Sequence, residues 1–232
     1  MKKLQVTIEL IEEMLGTANS DPKIHEEFIA SKAPDAASRE EEVEAPDAAS
    51  REEEVEALGV EAVVEKGKTI FPKEGGKPFV YSYQIRGFFK AAAGFLQRCK
   101  GEKFAAHTNK IKAYKKVIDG CIFVEPRKIM IEMPEGTEIG DCQRPLRAQT
   151  AQGERVALAN SESVPEGSRM TFTIEIDNDA YTDAVLEWLA HGSKNGLGQW
   201  RNSGKGRFKI VDIKEIKDTE SEVDRIKKML KG

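Results

Sequence analysis

The spacing of apolar residues switches between a strand pattern and a helix pattern along this chain, and the order of these switches limits the available folds. In LQVTIEL, near the start, apolar residues occupy every second position, which predicts a half-buried strand. GFFKAAAGFLQRC, residues 87–99, has the spacing of an amphipathic helix. Later segments predict three strands, a helix and a last strand, in GCIFVE, KIMIEM, MTFTIEID, DAYTDAVLEWLAHG and RFKIVDIKEI.

This order, with a long insertion after the first strand, is typical of the ferredoxin-like arrangement that RNA-recognition domains also use. We therefore predict an α+β protein with a ferredoxin-like (RRM-like) βαββαβ core, insertions and a C-terminal helix. Thr219 and Glu222 form a capping box for that closing helix. We expect one domain over residues 1–232, with the polar segment 141–169 as a protruding hairpin.

An acidic tandem repeat follows the first strand. APDAASREEEVE occurs twice without a mismatch, at residues 33–44 and 45–56. Residues 33–56 carry ten acidic residues and two arginines, a net charge of −8, which leaves +4 on the remainder of a chain whose total is −4. We predict an exposed insertion on a mildly basic body, because such a charge run cannot bury enough apolar surface to pack.

The composition gives little support to a membrane span, a disulfide framework or a metal site. No apolar run approaches the roughly 20 residues that span a bilayer, and polar residues interrupt any signal-peptide core in MKKLQVTIELIEEML. Three cysteines and three histidines are scattered, which predicts neither a disulfide framework nor a metal site. The sequence thus predicts a cytoplasmic protein without membrane contact, metal or cofactor.

The segment GLGQWRNSGKGRFKI, residues 196–210, lies between the last predicted helix and the last strand. It combines four glycines, one tryptophan and four cationic side chains without an acidic residue. Glycine lets a backbone approach a ligand closely, and cations attract phosphate. We therefore predict that the segment binds a single strand of nucleic acid, with Trp200 as a stacking platform. The candidate phosphate contacts are Lys194, Arg201, Lys205 and Arg207.

The spacing of residues in this segment excludes a P-loop and a dinucleotide-binding loop. Five residues instead of four separate Gly198 from Gly204, and Lys205 precedes a glycine where a P-loop requires a hydroxyl residue. Arg201 stands where a dinucleotide fingerprint requires glycine, and the segment follows a helix instead of a strand. A purely structural interpretation stays open, in which the glycines form tight turns, the tryptophan covers the core and the cations face solvent.

Two segments together resemble the RAMP superfamily, the repeat-associated proteins that form the backbone of CRISPR effector complexes. GLGQWRNSGKGRFKI is similar to the C-terminal glycine-rich loop of that family, in which two glycine clusters bracket an arginine before the last strand. KPFVYSYQIRGFFKAAAGFL, residues 77–96, is similar to the segment in which an Ile-x-Gly turn opens the first helix, with a lysine on its first turn. Here Ile85 and Gly87 form that turn and Lys90 is the lysine.

The resemblance implies that single-stranded guide RNA binds along the sheet and helix face, through the glycine-rich loop and a protruding hairpin. It also implies protein partners, namely other effector subunits or copies of this chain assembled along the strand. By position it marks an RNA-binding set with Arg86, Gly87 and Lys90 at the N-terminus of the first helix, and Gly196, Gly198, Arg201, Gly204 and Gly206 in the loop.

We therefore predict a non-enzymatic single-stranded RNA-binding protein that resembles CRISPR backbone subunits. No catalytic residue is assigned, because neither Asp21 nor His25 lies in a matching sequence context. Two alternatives stay open. One is a metal-dependent endoribonuclease of the same superfamily, and the other is a non-catalytic protein-interaction module, including a viral one, whose loop forms an assembly interface.

Overall fold

The computed structural model describes residues 1–19, 68–150, 153–216, 226–227 and 229–230. These residues form a mixed α+β structure with several antiparallel sheets and three α-helices, which confirms the predicted class. Among them, no helix has the length and apolar character needed to cross a membrane. The acidic insertion at 33–56 lies outside the described residues, as does most of the predicted C-terminal helix.

The strands, in chain order, are β1 Lys2–Leu10, β2 Met14–Leu15, β3 Ala18–Asn19, β4 Thr69–Ile70, β5 Lys73–Glu74, β6 Lys77–Tyr81, β7 Ile122–Glu125, β8 Lys128–Met130, β9 Gly140–Thr150, β10 Gly153–Val164, β11 Arg169–Ile176 and β12 Phe208–Ile216. The helices are α1 Ser82–Leu96, α2 Tyr114–Cys121 and α3 Thr182–His191.

The central sheet has four antiparallel strands in the order β12, β1, β11 and β7. In β1 every second residue is buried, namely Leu4, Val6, Ile8 and Leu10, as the alternating sequence pattern predicts. β11 alternates in the same way, so the two strands turn one apolar face toward a single core. This burial fixes the register, because a shift of one residue would turn the apolar set toward solvent.

Helices α1 and α3 pack on each other and on this sheet. The rings of Phe89 in α1 and Trp188 in α3 lie 5.8 Å apart, and Phe88 meets Phe208 of β12 at 5.2 Å. Trp188 is fully buried, and its indole N–H donates to Thr108 Oγ1 at 3.1 Å, which satisfies its one polar atom. The helices and the sheet thus enclose one apolar core, and α3 leads directly into the glycine-rich loop.

A long hairpin is formed by β9 and β10, which pair along their whole length. Between Ser161 and Val164, β10 also joins β2 and β4. Farther from this base, β9 is the one described strand that pairs with β10. The eleven residues of β9 extend about 37 Å at the usual strand rise. Arg144 lies opposite Ala159, close to the base of the hairpin.

Helix α1 begins at Ser82, five residues before the Gly87 at which the sequence analysis places its start. β6 runs to Tyr81 and the chain enters the helix at once, because the Gln84 side chain accepts a hydrogen bond from the Tyr81 backbone N–H at 3.0 Å. Gly87 and Lys90 therefore lie in the interior of α1. The expectation that they flank exposed N–H groups at a helix N-terminus is wrong.

Candidate nucleic-acid interface

The glycine-rich segment forms a compact loop between α3 and β12. The loop closes on itself where the Leu197 N–H donates to the Gly206 carbonyl oxygen at 2.9 Å. Gly206 in turn donates its N–H to the Glu13 carbonyl oxygen at 2.8 Å, which ties the loop to the turn between β1 and β2. A short turn of 3-10 helix, Arg201–Ser203, lies near the middle of the loop.

Three of the four glycines in this loop lie against protein backbone. A side chain at Gly206, whose φ is +70°, would overlap the Leu197 carbonyl group, and one at Gly196 would overlap the backbone of Gly206. Gly198 has a φ of +76°, and a Cβ atom there would lie 2.7 Å from the Leu15 carbonyl oxygen. Close packing of the loop on itself and on β2 thus accounts for these glycines without a ligand.

Two of the predicted phosphate contacts have an acidic partner in the turn between β1 and β2. Lys205 Nζ lies 2.5 Å from Glu13 Oε1, and Arg207 Nη2 lies 3.1 Å from Glu12 Oε1. The hydrogen bond to Glu13 raises the pKa of Lys205. A phosphate at either cation has to compete with a carboxylate.

Gly204 differs from the other three glycines of the loop, since a side chain there would meet only the Arg207 side chain, at 3.5 Å.

Trp200 has a backbone conformation that residues other than glycine rarely adopt. Its φ of 54° and ψ of 35° lie in the left-handed region, which costs about 1 to 2 kcal/mol for an ordinary residue. Trp200 is 40% exposed, so it does not cover the core. The central guanidinium carbon of Arg144 lies 5.4 Å from its ring centroid. An exposed ring held at this backbone strain is typical of a ligand-binding position.

Arg144 in β9 is a buried cation with incomplete hydrogen bonding. It is 7% exposed, and its Nη2 donates to Gln199 Oε1 at 2.6 Å. Its Nε and Nη1 atoms are buried and have no hydrogen-bond partner among the described residues. A buried N–H group without a partner costs about 1 to 3 kcal/mol, and more when the group is charged. Both N–H groups are shielded from solvent here, so an external phosphate or base edge reaches them only when neighbouring side chains move.

The other two predicted loop cations lie on either side of Trp200 in sequence. Arg201 is half-buried and follows Trp200 directly, in the short 3-10 turn. Lys194 is exposed at the beginning of the loop, and its Nζ lies 5.0 Å from the ring centroid of Phe104. Within the described part of the chain, neither of these two cations has a carboxylate partner. Both are therefore open to an external anion.

The predicted residues of α1 lie beside the loop. Ile85 lines a small apolar cleft together with Leu197, so the first turns of α1 and the loop do meet. Arg86 follows Ile85 and is half-buried. Lys90 lies one turn farther along α1 and pairs with Asp119 at 2.7 Å. The structure thus brings the start of α1 to the loop, and it gives Lys90 an internal partner.

Gly87 offers a direct test of this helix surface. It is exposed in the interior of α1, and a side chain there would have no atom within 4 Å. We expect Gly87→Ala to raise the free energy of unfolding by about 0.5 to 1 kcal/mol, because glycine is a poor helix former. Thermal melting and RNA titration of this variant separate two outcomes. Weaker RNA binding at higher stability places RNA against the helix, and unchanged binding removes Gly87 from the predicted interface.

Sequence reasoning missed three features of this region. Arg144 is distant from the loop along the chain, and the fold brings it to Gln199 and Trp200. Glu12 and Glu13 pair with loop cations from the opposite end of the chain, so no local pattern reveals them. The third feature is a run of seven cations with one acidic residue at 98–117, which a count of charges along the sequence does detect.

No family model and no curated protein matches this chain. Its fold is similar to that of a chain in the cryo-EM structure of the Type III-B Cmr-beta bound to cognate target RNA. The TM-score is 0.51 at 10% sequence identity, and the match covers 93% of this chain. It covers 61% of the neighbour, so this chain spans less than two thirds of that protein. At this identity the likeness shows a shared fold.

Proposed function

We propose that this protein binds single-stranded RNA and that it is a RAMP-like subunit of the type that forms the backbone of CRISPR effector complexes. The observation that carries the proposal is the pair of Arg144 and Trp200. Two nitrogens of the buried guanidinium have no partner among the described residues, and the tryptophan beside it is exposed and strained. The exposed indole ring stacks on a base, and the guanidinium binds the adjacent phosphate or the edge of the base after the side chains that cover it move aside.

The proposal includes a ferredoxin-like core. In chain order the central sheet and its helices read β1, α1, β7, β11, α3 and β12, and the strands lie in the order β12, β1, β11, β7. This order of elements supports the split βαβ arrangement, which RNA-recognition domains use to present a sheet to single-stranded RNA.

The proposed partners follow from the fold likeness and from the hairpin. The structural neighbour comes from a structure described as bound to cognate target RNA. We propose that this chain likewise contacts RNA together with other effector subunits or with copies of itself along the strand. The hairpin of β9 and β10 has the length to contact a neighbouring subunit, and Arg144 near its base connects it to the RNA site.

A binding titration tests the proposed function. Labelled single-stranded RNA, single-stranded DNA and duplex RNA are titrated with the full chain at two salt concentrations. We expect micromolar or tighter binding to single-stranded RNA and weaker binding to duplex, because stacking needs unpaired bases. Absence of micromolar binding to single-stranded RNA would contradict the proposal. Cleavage of the RNA in the presence of magnesium or manganese, suppressed by a chelator, would favour an endoribonuclease instead.

Arg201 is expected to contact phosphate. Arg201→Ala should weaken binding to different RNA sequences equally and lower the slope of log affinity against log salt by roughly 0.7, the single-strand value for one contact. Lys205→Ala is the matched control, because Glu13 already holds its ammonium group. The control should change the salt slope less and reduce stability slightly. Equal changes in slope would show that Glu13 releases Lys205 to the RNA.

A further inference from the structure

A second basic surface lies outside the loop, in the connection between α1 and α2 and the first turn of α2. Residues 98–117 contain seven cations and one acidic residue, in a chain of net charge −4. All seven cations are exposed, and none pairs with a carboxylate of the described chain. They are Arg98, Lys100, Lys103, Lys110, Lys112, Lys115 and Lys116. This concentration of unpaired positive charge forms a strong site for a polyanion.

Two exposed phenylalanine rings lie among these cations. Phe95 is 44% exposed, and the guanidinium carbon of Arg98 lies 5.8 Å from its centroid. Phe104 is 50% exposed and has the Lys194 ammonium 5.0 Å from its centroid. Burying either ring in the core is the usual arrangement, because each large apolar side chain gains about 1.5 to 3 kcal/mol on leaving water. Exposed aromatic rings flanked by cations instead form the platforms on which unpaired bases stack.

The connection is held in place by hydrogen bonds. The Gln97 side chain donates to the Ile111 carbonyl oxygen at 2.7 Å, and the Asn109 side chain donates to the Cys99 carbonyl oxygen at 3.2 Å. The Glu187 carboxylate of α3 accepts the backbone N–H groups of His107 and Thr108, each at 2.8 Å. The Glu187 oxygens are thus occupied by the fold. The cations around them therefore project from a fixed scaffold.

We infer that this surface binds single-stranded RNA as a continuation of the loop site, which makes the inference dependent on the proposed function. The contacting side chains are Phe95, Arg98, Lys103, Phe104, Lys110, Lys112 and Lys194. Lys194 connects the two sites, because it contacts Phe104 and is six residues from Trp200 in the same loop. Six residues span at most about 22 Å, which places both sites within reach of one strand.

RNA length separates the two sites experimentally. An RNA of about four nucleotides fills one site, whereas one of about sixteen nucleotides reaches both, in line with the site sizes of single-strand binders. The test variant replaces Arg98, Lys103, Lys110 and Lys112 by glutamine. The control variant makes the same change in net charge elsewhere, by glutamine at Lys2, Lys77, Arg127 and Lys128. Fluorescence anisotropy at two salt concentrations measures the affinity of both RNAs for each variant.

We expect the test variant to bind the long RNA at least about tenfold more weakly, with a salt slope lower by roughly 0.7 for each lost contact. Its affinity for the short RNA and its melting temperature should stay unchanged, and the control variant should bind both RNAs nearly as the native chain does. Phe104→Ala should weaken binding of the long RNA alone, with little change in salt slope.

Four results would overturn the inference. If the test variant binds the long RNA as tightly as the native chain does, this surface does not bind RNA. The proposed function would still be supported by the RNA binding of the native chain. An equal loss of affinity for the long RNA in the control variant would show that net charge alone, and not this surface, causes the effect. If the test variant loses binding to a polyglutamate peptide but keeps its affinity for RNA, the surface binds an acidic protein segment instead of RNA. If the native chain binds neither RNA, the proposed function fails together with the inference.

Discussion

Gly206→Ala is expected to lower the free energy of unfolding by about 2 to 5 kcal/mol. Two effects act together at this position. The φ of +70° is strained for any residue with a side chain, which costs about 1 to 3 kcal/mol. The new Cβ atom also overlaps the Leu197 carbonyl group, and because the obstacle is backbone, relief requires the loop to open. The Leu197 to Gly206 and Gly206 to Glu13 hydrogen bonds are then weakened as well.

Thermal melting measures this loss as a fall of roughly 5 to 20 °C, since 1 kcal/mol shifts the melting temperature of a chain of this size by about 2 to 4 °C. Gly204→Ala is the matched control, because Gly204 has a φ of +85° but no backbone atom near a new Cβ. It should lose only the strain component, about 1 to 2 kcal/mol. Equal losses in the two variants would contradict the close packing of Gly206 against Leu197.

The glycine pattern shows what this sequence can and cannot predict. The sequence prediction is that a ligand approaches the backbone of this loop. The pattern alone does not specify what approaches, and at Gly196 and Gly206 the neighbour is the loop itself. The local charge pattern likewise does not reveal which carboxylates pair with the loop cations. Glu12 and Glu13 pair with Arg207 and Lys205 through the fold, and such long-range pairs leave no local signal.

The strands and helices with regular apolar spacing are largely predictable. β1 follows its alternation residue by residue, and α3 lies within its predicted segment. The start of α1 is not predictable from apolar spacing, because Ser82, Tyr83 and Gln84 are polar or large. The hydrogen bond from the Tyr81 backbone N–H to the Gln84 side chain determines where the helix begins. Element boundaries depend on such single hydrogen bonds, whereas the elements themselves depend on many apolar contacts.

Arg144 and Trp200 are each unfavourable for folding when considered alone. A tryptophan in the left-handed region costs free energy, as does a buried guanidinium with two nitrogens that find no partner in the described part of the chain. Together they cost several kcal/mol on the usual scales. Neither group is required by the packing of the core, since Trp200 is exposed and Arg144 lies in the hairpin. A site that lowers stability locally and places a cation beside an aromatic ring is the expected signature of a ligand site.

Arg144→Met is therefore expected to separate RNA binding from stability. Methionine has a similar length and carries no polar group that needs a partner, so the free energy of unfolding should stay equal or rise by about 1 to 3 kcal/mol. Gln199 is only half-buried, so its freed oxygen can turn to water. RNA binding should weaken by about tenfold to a hundredfold, because a hydrogen bond from a charged donor contributes about 1.5 to 3 kcal/mol. Denaturant unfolding and RNA titration of the same preparation measure the two effects.

Trp200→Gly completes this prediction, with Trp200→Ala as its matched control. Both variants remove the ring and should weaken RNA binding alike, by about 1 to 3 kcal/mol per stacked base, with an unchanged salt slope. Glycine accepts the left-handed conformation without strain, so the glycine variant should be more stable than the alanine variant by about 1 kcal/mol. A loss of stability in Arg144→Met and Trp200→Gly with native RNA affinity would mean that the pair serves the fold. Higher stability with weak RNA binding in both variants would mean that the strain and the unpaired guanidinium are retained for RNA.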